Sequence, residues 1–225
     1  MHFIIFIPVF LFLAFGIIGR HNIINEDRIS MVLKVLLTVS ITALAVVAAL
    51  KTGKHPVFYW GIVFGLLFCL IGDAVLAWDL KRFFLVGMGA FGIGYAIFAT
   101  MLLLFIGAFS IYSYIVLLAA VIMSIIVFRS FDNIPYGFGL PLILFIVILN
   151  YHVLVGFNAF NSLGFPLGVP FLVGAVSLFI SDALIGFSHF RSRKLFSKAG
   201  FVSSILSAYY LGIWSISIGA FYFDK

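Results

Sequence analysis

Two aspartates lie inside long apolar stretches of this chain and are its best candidates for chemistry. Asp73 stands in Ile71-Gly-Asp-Ala-Val-Leu-Ala-Trp78, and Asp182 in Ile180-Ser-Asp-Ala-Leu-Ile-Gly-Phe187. When two carboxyl groups lie close together away from water, one tends to keep its proton while the other ionises. General acid/base hydrolysis needs that division, as in glycosidases, where one carboxyl group protonates the leaving group and the other activates water.

The aspartates also have a purely structural interpretation, because buried polar side chains hold membrane helices together. Their neighbours favour a functional one. Gly61, Gly65 and Cys69 precede Asp73 at four-residue spacing, so the carboxylate shares a helix face with small residues that allow another backbone to approach closely. The small residues around Asp182 are Gly174, Ser177, Ser181 and Gly186. Since ionisable residues inside membranes are functional by default, we interpret both aspartates as working residues.

The composition places these residues in a membrane. Of 225 residues, 65% are hydrophobic and 9% are charged, and the mean hydropathy is +1.31. The apolar runs are continuous and about 18 to 24 residues long, which predicts transmembrane helices rather than the shorter, alternating strands of a barrel. We therefore predict an all-α, polytopic membrane bundle of about eight helices. It is a multi-pass integral protein, in the cell membrane if the source is prokaryotic, and residues 1–225 form a single transmembrane domain.

The predicted spans are 3–19, 31–50, 57–78, 83–106, 111–128, 138–158, 166–188 and 201–222. The first run also resembles a signal peptide in length. It lacks a basic leader and a clean small-residue cleavage site, so we interpret it as a mature helix.

Basic residues predict the orientation of the bundle. Ten of the 13 lysines and arginines fall on one side: Arg20, Arg28, Lys34, Lys81, Arg82, Arg129, Arg191, Arg193, Lys194 and Lys198. The other three are Lys51, Lys54 and Lys225. By the positive-inside rule, both termini lie outside, and the loops after the first, third, fifth and seventh spans are cytoplasmic.

The two aspartate segments look like copies of each other, four helices apart. This predicts a parallel repeat of two four-helix halves, 1–107 and 108–225. Asp73 precedes Lys81 by eight residues, and Asp182 precedes Arg191 by nine. Both carboxylates are therefore expected about 10 Å inside the basic cytoplasmic boundary, at matched depth.

Other polar residues within the spans are candidates for lining a substrate site. Lys34 lies about one turn inside its span, where it either meets a lipid phosphate or extends to the interface. Lys81 and Arg82, at the boundary, are further candidates for the phosphate. The remaining candidates are Tyr95, Tyr151, His152, Ser181, Tyr209 and Tyr210. Each of these also has a structural interpretation as a hydrogen bond between helices.

Several other classes of function are disfavoured. The net charge of +6 lies between spans, where it sets orientation and meets lipid headgroups rather than nucleic acid. The sequence has no H-E-x-x-H or Cys/His cluster for a metal and no G-x-S-x-G for a serine nucleophile. Gly87, Gly89 and Gly92 spell G-x-G-x-x-G, but inside an apolar helix with no preceding strand. We therefore expect no metal and no cofactor.

The aspartate motifs resemble those of the YhhN-type lysoplasmalogenase family of eight-helix membrane proteins. The matching stretches are 65–78, then Phe84-Leu-Val-Gly-Met88 with Phe91, Gly174 through Leu184, Tyr209-Tyr-Leu211, and Lys34 near the start of the second span. There are departures. Tyr95 and Phe98 stand where the family typically has His and Tyr, and Val35 stands where proline is common.

The resemblance implies hydrolysis of the vinyl ether bond of lysoplasmalogens, which releases a fatty aldehyde and a glycerophospho-headgroup. Asp73 and Asp182 would share the acid and base roles, and the partners would be a lysophospholipid substrate and membrane lipids. The sequence leaves open which aspartate is the acid, the lipid preference and the oligomeric state. Two alternatives remain: a proton-coupled small-molecule transporter, and a lipid-binding protein without catalysis.

Overall fold

Seven long helices account for most of the described part of the chain. The computed structural model describes residues 28–51, 54–78, 80–107, 109–132, 134–190 and 198–223. The helices are α1 Arg28–Lys51, α2 Pro56–Trp78, α3 Leu80–Ile106, α4 Ile111–Arg129, α5 Gly139–Leu163, α6 Val169–Phe190 and α7 Lys198–Tyr222.

All seven helices are long and apolar enough to cross a membrane. They correspond in order to the second through eighth predicted spans, so the all-α, multi-pass prediction is confirmed for the described residues. The first predicted span, 3–19, lies outside those residues. An eighth helix and the outside location of the termini stay predictions.

Helix α5 is longer than its predicted span, which ended at residue 158. The helix continues to Leu163 because the buried amide of Asn158 is satisfied there. Its Oδ1 accepts hydrogen bonds from the Ser113 hydroxyl at 3.0 Å and the Ser110 backbone N–H at 3.3 Å. The helix ends at Gly164, whose φ of 68° is in the left-handed region that glycine adopts without strain.

Six of the helices form a closed ring. Around it, α1 contacts α2, α2 contacts α3, α3 contacts α5, α5 contacts α6, α6 contacts α7, and α7 contacts α1. Helix α4 lies outside the ring against α5. Fully buried side chains from the six ring helices include Ile41, Leu66, Phe98, Val155, Leu178 and Ile213. In this order α2 and α6, the helices that carry the aspartates, stand opposite each other.

Close glycine crossings join two neighbouring helix pairs. A Cβ added at Gly94 of α3 would lie 2.8 Å from the backbone oxygen of Gly65 in α2. A Cβ added at Gly174 of α6 would lie 3.2 Å from the backbone oxygen of Gly212 in α7. Gly65 precedes Asp73 by eight residues, and Gly174 precedes Asp182 by the same number. The two crossings thus occupy corresponding positions, although the internal repeat itself stays a prediction.

Aromatic rings fill the end of the ring away from the aspartates. Phe58 stacks on Phe223 with centroids 4.3 Å apart and makes edge contacts with Phe105 and Phe171, while His55 contacts Phe105 at 5.2 Å. Phe58 is fully buried. Asp73 lies 15 residues further along α2 than Phe58, or about 22 Å at 1.5 Å per residue. This far-end aromatic cluster therefore closes the interior on that side.

Candidate active site

Asp73 is held by hydroxyl groups from two neighbouring helices. The Thr38 hydroxyl of α1 and the Tyr209 hydroxyl of α7 both donate to its Oδ2, the latter at 2.8 Å. The carboxylate itself is partly buried. Because α2 contacts both α1 and α7, three adjacent helices fix the position of one carboxylate oxygen.

Lys34 adds a positive charge on the same side. It lies one turn before Thr38 on α1, is partly buried and interacts electrostatically with Asp73. The hydroxyl of Tyr210 donates to the backbone oxygen of Lys34 at 3.1 Å. Four of the predicted site residues, Lys34, Asp73, Tyr209 and Tyr210, are therefore brought together with Thr38.

Asp182 reaches the same interior from the opposite side of the ring. It is partly buried and interacts electrostatically with Asp73 across the interior. Cys69, fully buried on α2, interacts with both carboxylates. Tyr95 of α3, also fully buried, interacts with Asp182. The two aspartates thus belong to one cluster but have different immediate partners.

One wall of an apolar cavity is formed by Asp182. The cavity lies between α2, α3, α4, α5 and α6, and its other lining residues include Phe84, Met88, Phe91, Phe145, Phe179 and Phe190. Among the described residues that line it, Asp182 is the only ionisable one. The volume of the cavity is about 50 Å³. Since about 10–15 Å³ holds one water-sized group, the cavity takes a short segment of an apolar chain rather than a whole lipid.

His152 of α5 lies deep in the interior, stacked on Tyr95. The ring centroids are 5.8 Å apart with an angle of 26° between the planes, and His152 is only 1% exposed. Tyr151, the adjacent residue, lies about 100° around the helix and is partly buried. Of these two predicted site residues, His152 is the one in contact with the aspartate cluster, through Tyr95.

Three further candidates lie elsewhere or have another partner. The buried hydroxyl of Ser181 donates to the backbone oxygen of Ile205 at 3.1 Å, which links α6 to α7. Arg82 is exposed, and its guanidinium lies 5.3 Å from the centroid of the Phe83 ring. Lys81 lies in the first turn of α3, and its side chain is outside the described part of the molecule.

Thr38 was missed by the sequence analysis, although one signal pointed to it. A threonine inside an apolar helix usually bonds its own backbone, and Thr38 does make such a contact with the Lys34 carbonyl at 3.3 Å. It also follows Lys34 by four residues, which places both on one helix face. That spacing marks Thr38 as part of any site that contains Lys34.

Comparison with known proteins places this chain in a family. No curated protein and no solved structure matches the chain. The model of the YhhN family matches residues 29–220, a stretch that contains both aspartates, Lys34 and the tyrosines of α7. Since that match covers most of the sequence, the chain belongs to the YhhN family.

Proposed function

We propose that this protein is an intramembrane hydrolase of the lysoplasmalogenase type, which cleaves the vinyl ether bond of a lysophospholipid. Membership of the YhhN family is consistent with this activity. The observation that carries the proposal is the placement of Asp182 in the wall of an apolar cavity, within electrostatic range of Asp73. An acid beside a space for an alkyl chain, with an anion nearby, is what vinyl ether hydrolysis requires.

The surroundings of the two carboxylates support different roles. Asp73 accepts two hydrogen bonds at one oxygen and has the Lys34 cation nearby, and each of these contacts stabilises the charged form against the cost of burial. Asp182 faces apolar and aromatic side chains, which favour the neutral acid. We therefore assign Asp182 as the proton donor and Asp73 as the anion.

The reaction then proceeds in balanced steps. Asp182 gives its proton to the alkene carbon remote from the ether oxygen, which leaves an oxocarbenium ion that the Asp73 carboxylate stabilises. Water adds to the carbon bonded to oxygen and returns a proton to Asp182, forming a hemiacetal. As the hemiacetal collapses, its bond to the glycerol oxygen breaks and its hydroxyl proton is transferred to that oxygen, which gives a fatty aldehyde and a glycerophospho-headgroup.

The charged residues suggest how a lysolipid would lie. The alkenyl chain next to its ether oxygen would occupy the cavity beside Asp182, and the rest of the tail would extend toward the membrane. Lys34 lies on the Asp73 side of the site, where a cation would meet the phosphate. Lys81 and Arg82, at the start of α3, are the further candidates for the headgroup.

A proton-coupled transporter is the weaker interpretation. Such a protein needs its buried acids to be reached in turn from both sides of the membrane. In the described helices, the interior beyond the aspartates is filled by the far-end aromatic cluster. An interior filled with side chains at that end suits an enzyme that takes its lipid from one leaflet.

The test is turnover by purified protein. Lysoplasmenyl lipid is supplied in mixed micelles, and the fatty aldehyde is measured by mass spectrometry. Asp73→Asn and Asp182→Asn should each lower kcat/KM by about 100-fold to 10,000-fold, the range of general acid/base contributions. Asp132→Asn, the same change in an exposed loop, should leave it unchanged.

Two results would overturn the proposal. One is normal aldehyde release by both interior variants. The other is lipid binding without aldehyde from the native chain, which would indicate the non-catalytic alternative.

A further inference from the structure

Buried polar atoms of three neighbouring side chains, from three helices, have incomplete hydrogen bonding in the described part of the chain. They are the hydroxyl of Tyr95, both ring nitrogens of His152 and Oδ2 of Asp182. Tyr95 and His152 are 0% and 1% exposed. Tyr95 and Asp182 interact as hydroxyl donor and carboxyl acceptor, and His152 faces the Tyr95 backbone, but neither contact has the geometry of a full hydrogen bond.

Leaving these groups unpaired is costly. Each unsatisfied buried donor or acceptor destabilises the folded state, and a neutral imidazole must have one of each. Nearly all such groups in folded proteins are satisfied by protein or by ordered water. A cluster of several unpaired groups therefore indicates bound water rather than a dry interior.

The surrounding phenylalanines cannot complete the hydrogen bonding. The ring of Tyr95 contacts Phe91 at 6.2 Å, Phe145 at 6.1 Å and Phe98 at 6.5 Å, and the ring of His152 contacts Phe98 at 6.1 Å. Phenylalanine offers no conventional donor or acceptor. Phe91 and Phe145 also line the apolar cavity, so the polar cluster and the cavity adjoin at Asp182.

We propose that Tyr95 and His152 hold a water molecule beside Asp182, and that this water is the nucleophile of the hydrolysis. The second part rests on the proposed function. The alkenyl chain lies on the cavity side of Asp182 and the water on the tyrosine side. The water oxygen bonds to the oxocarbenium carbon, and its proton passes to the Asp182 carboxylate that has just given one up. Tyr95 and His152 are positioning residues that act through the water.

The water is tested without reference to activity by X-ray radiolytic footprinting in detergent micelles. Hydroxyl radicals formed from bound water oxidise the side chains next to it. Tyr95 is 0% exposed, so bulk water does not reach it, and fast oxidation of Tyr95 reports a bound water. Phe58, equally buried in the far-end aromatic cluster, is the internal control and should stay unmodified.

Variants of His152 connect the water to that side chain. His152→Phe keeps the ring and removes both nitrogens, and it should lower Tyr95 oxidation several-fold. His152→Gln keeps a donor and an acceptor and should preserve it. Phe98→Leu, which changes packing beside the same ring, should leave the oxidation of Tyr95 unchanged.

The nucleophilic role is tested by competition with methanol, which converts the same oxocarbenium ion to a mixed acetal. If His152 retains the attacking water, His152→Phe should raise the ratio of mixed acetal to aldehyde several-fold. His152→Gln and Phe98→Leu should keep the native ratio. A purely structural role would lower total turnover without changing that ratio.

The outcomes separate this inference from the proposed function. The water site is overturned if Tyr95 is oxidised no faster than Phe58. It is also overturned if Tyr95 is oxidised equally fast in native and His152→Phe protein, even when aldehyde is formed. Strong, His152-dependent oxidation of Tyr95 without aldehyde keeps the water site and removes the hydrolase function. An unchanged acetal ratio in His152→Phe removes the nucleophilic role alone.

Discussion

At the scale of single residues, the two aspartates have the same short sequence context and different partners. Asp73 receives hydroxyl hydrogen bonds from helices on both sides, whereas Asp182 faces a cavity wall and a tyrosine. Hydrogen-bond donors and a cation stabilise a carboxylate, and apolar surroundings stabilise the acid. The proposed division of roles therefore comes from the neighbours of each residue and not from the motif.

Removing the donors to Asp73 should slow catalysis while leaving the fold intact. We expect Thr38→Val and Tyr209→Phe each to lower kcat/KM by about 10-fold to 100-fold, because a hydrogen bond to a charged group contributes about 1.5–3 kcal/mol. Steady-state aldehyde release measures the effect.

Thr42→Val is the matched control for Thr38→Val. Thr42 is a buried threonine on the same helix, and its hydroxyl donates to the backbone oxygen of Thr38 at 2.8 Å rather than to a carboxylate. Equal losses for the two threonine variants would contradict a specific role for the Thr38 hydroxyl.

At the scale of helices, the close crossing of α2 and α3 sets where Asp73 and Tyr95 lie. Gly65 and Gly94 remove side chains where the two backbones meet, and Tyr95 directly follows Gly94. Small residues allow membrane helices to gain packing contacts that apolar lipid cannot replace. The predicted stripe of Gly61, Gly65 and Cys69 does face a neighbouring helix, because these residues meet Met101, Phe98 and Gly94 of α3.

Gly94→Ala should destabilise the bundle. The added methyl group would lie 2.8 Å from the Gly65 backbone oxygen and 3.1 Å from the Cys69 sulfur, so the helices must separate. Overpacking of this kind costs about 1–3 kcal/mol, and the thermal midpoint in detergent should fall by several degrees.

Gly89→Ala, on the same helix, provides the control for that measurement. Nothing lies within 4 Å of a Cβ at Gly89, so helix propensity alone should leave the midpoint equal or slightly higher. A midpoint for Gly94→Ala as high as that for Gly89→Ala would show that the crossing tolerates a methyl group.

At the scale of the whole molecule, the ring arrangement brings α2 and α6 to opposite sides of one interior and closes that interior at the far end. The aspartates lie toward the other end, where the sequence places most basic residues. The side of the membrane toward which the aspartates lie therefore depends on the orientation of the bundle, which the distribution of lysine and arginine predicts.

Orientation is tested by thiol labelling of intact cells that express the protein. Lys54→Cys lies in the exposed turn between α1 and α2, and Asp132→Cys lies in the exposed turn between α4 and α5. A membrane-impermeant maleimide should label the first variant in intact cells and the second only after lysis. The native chain, whose sole cysteine Cys69 is buried, is the unlabelled control. Labelling of Asp132→Cys in intact cells would invert the predicted topology.

The sequence by itself determined the fold class and most helix boundaries. Continuous apolar runs must form helices in lipid, because no water is available to satisfy an open backbone, and local composition therefore decides their extent. The largest boundary shift is at the C-terminal end of α5, where a distant contact allows Asn158 to remain inside the helix. The sequence also predicted both aspartates as candidate site residues, because an ionisable residue inside an apolar run can be recognised without knowing its neighbours in space.

The tertiary structure alone decided which residues accompany each carboxylate. Thr38 and Tyr209 reach Asp73 from helices 35 and 136 residues away in the chain, while the Ser181 hydroxyl next to Asp182 links α6 to α7 instead. Helix rotation about its own axis sets these partners. That rotation results from close packing between helices, at crossings such as Gly65 with Gly94, rather than from apolar composition, which is nearly uniform around each helix.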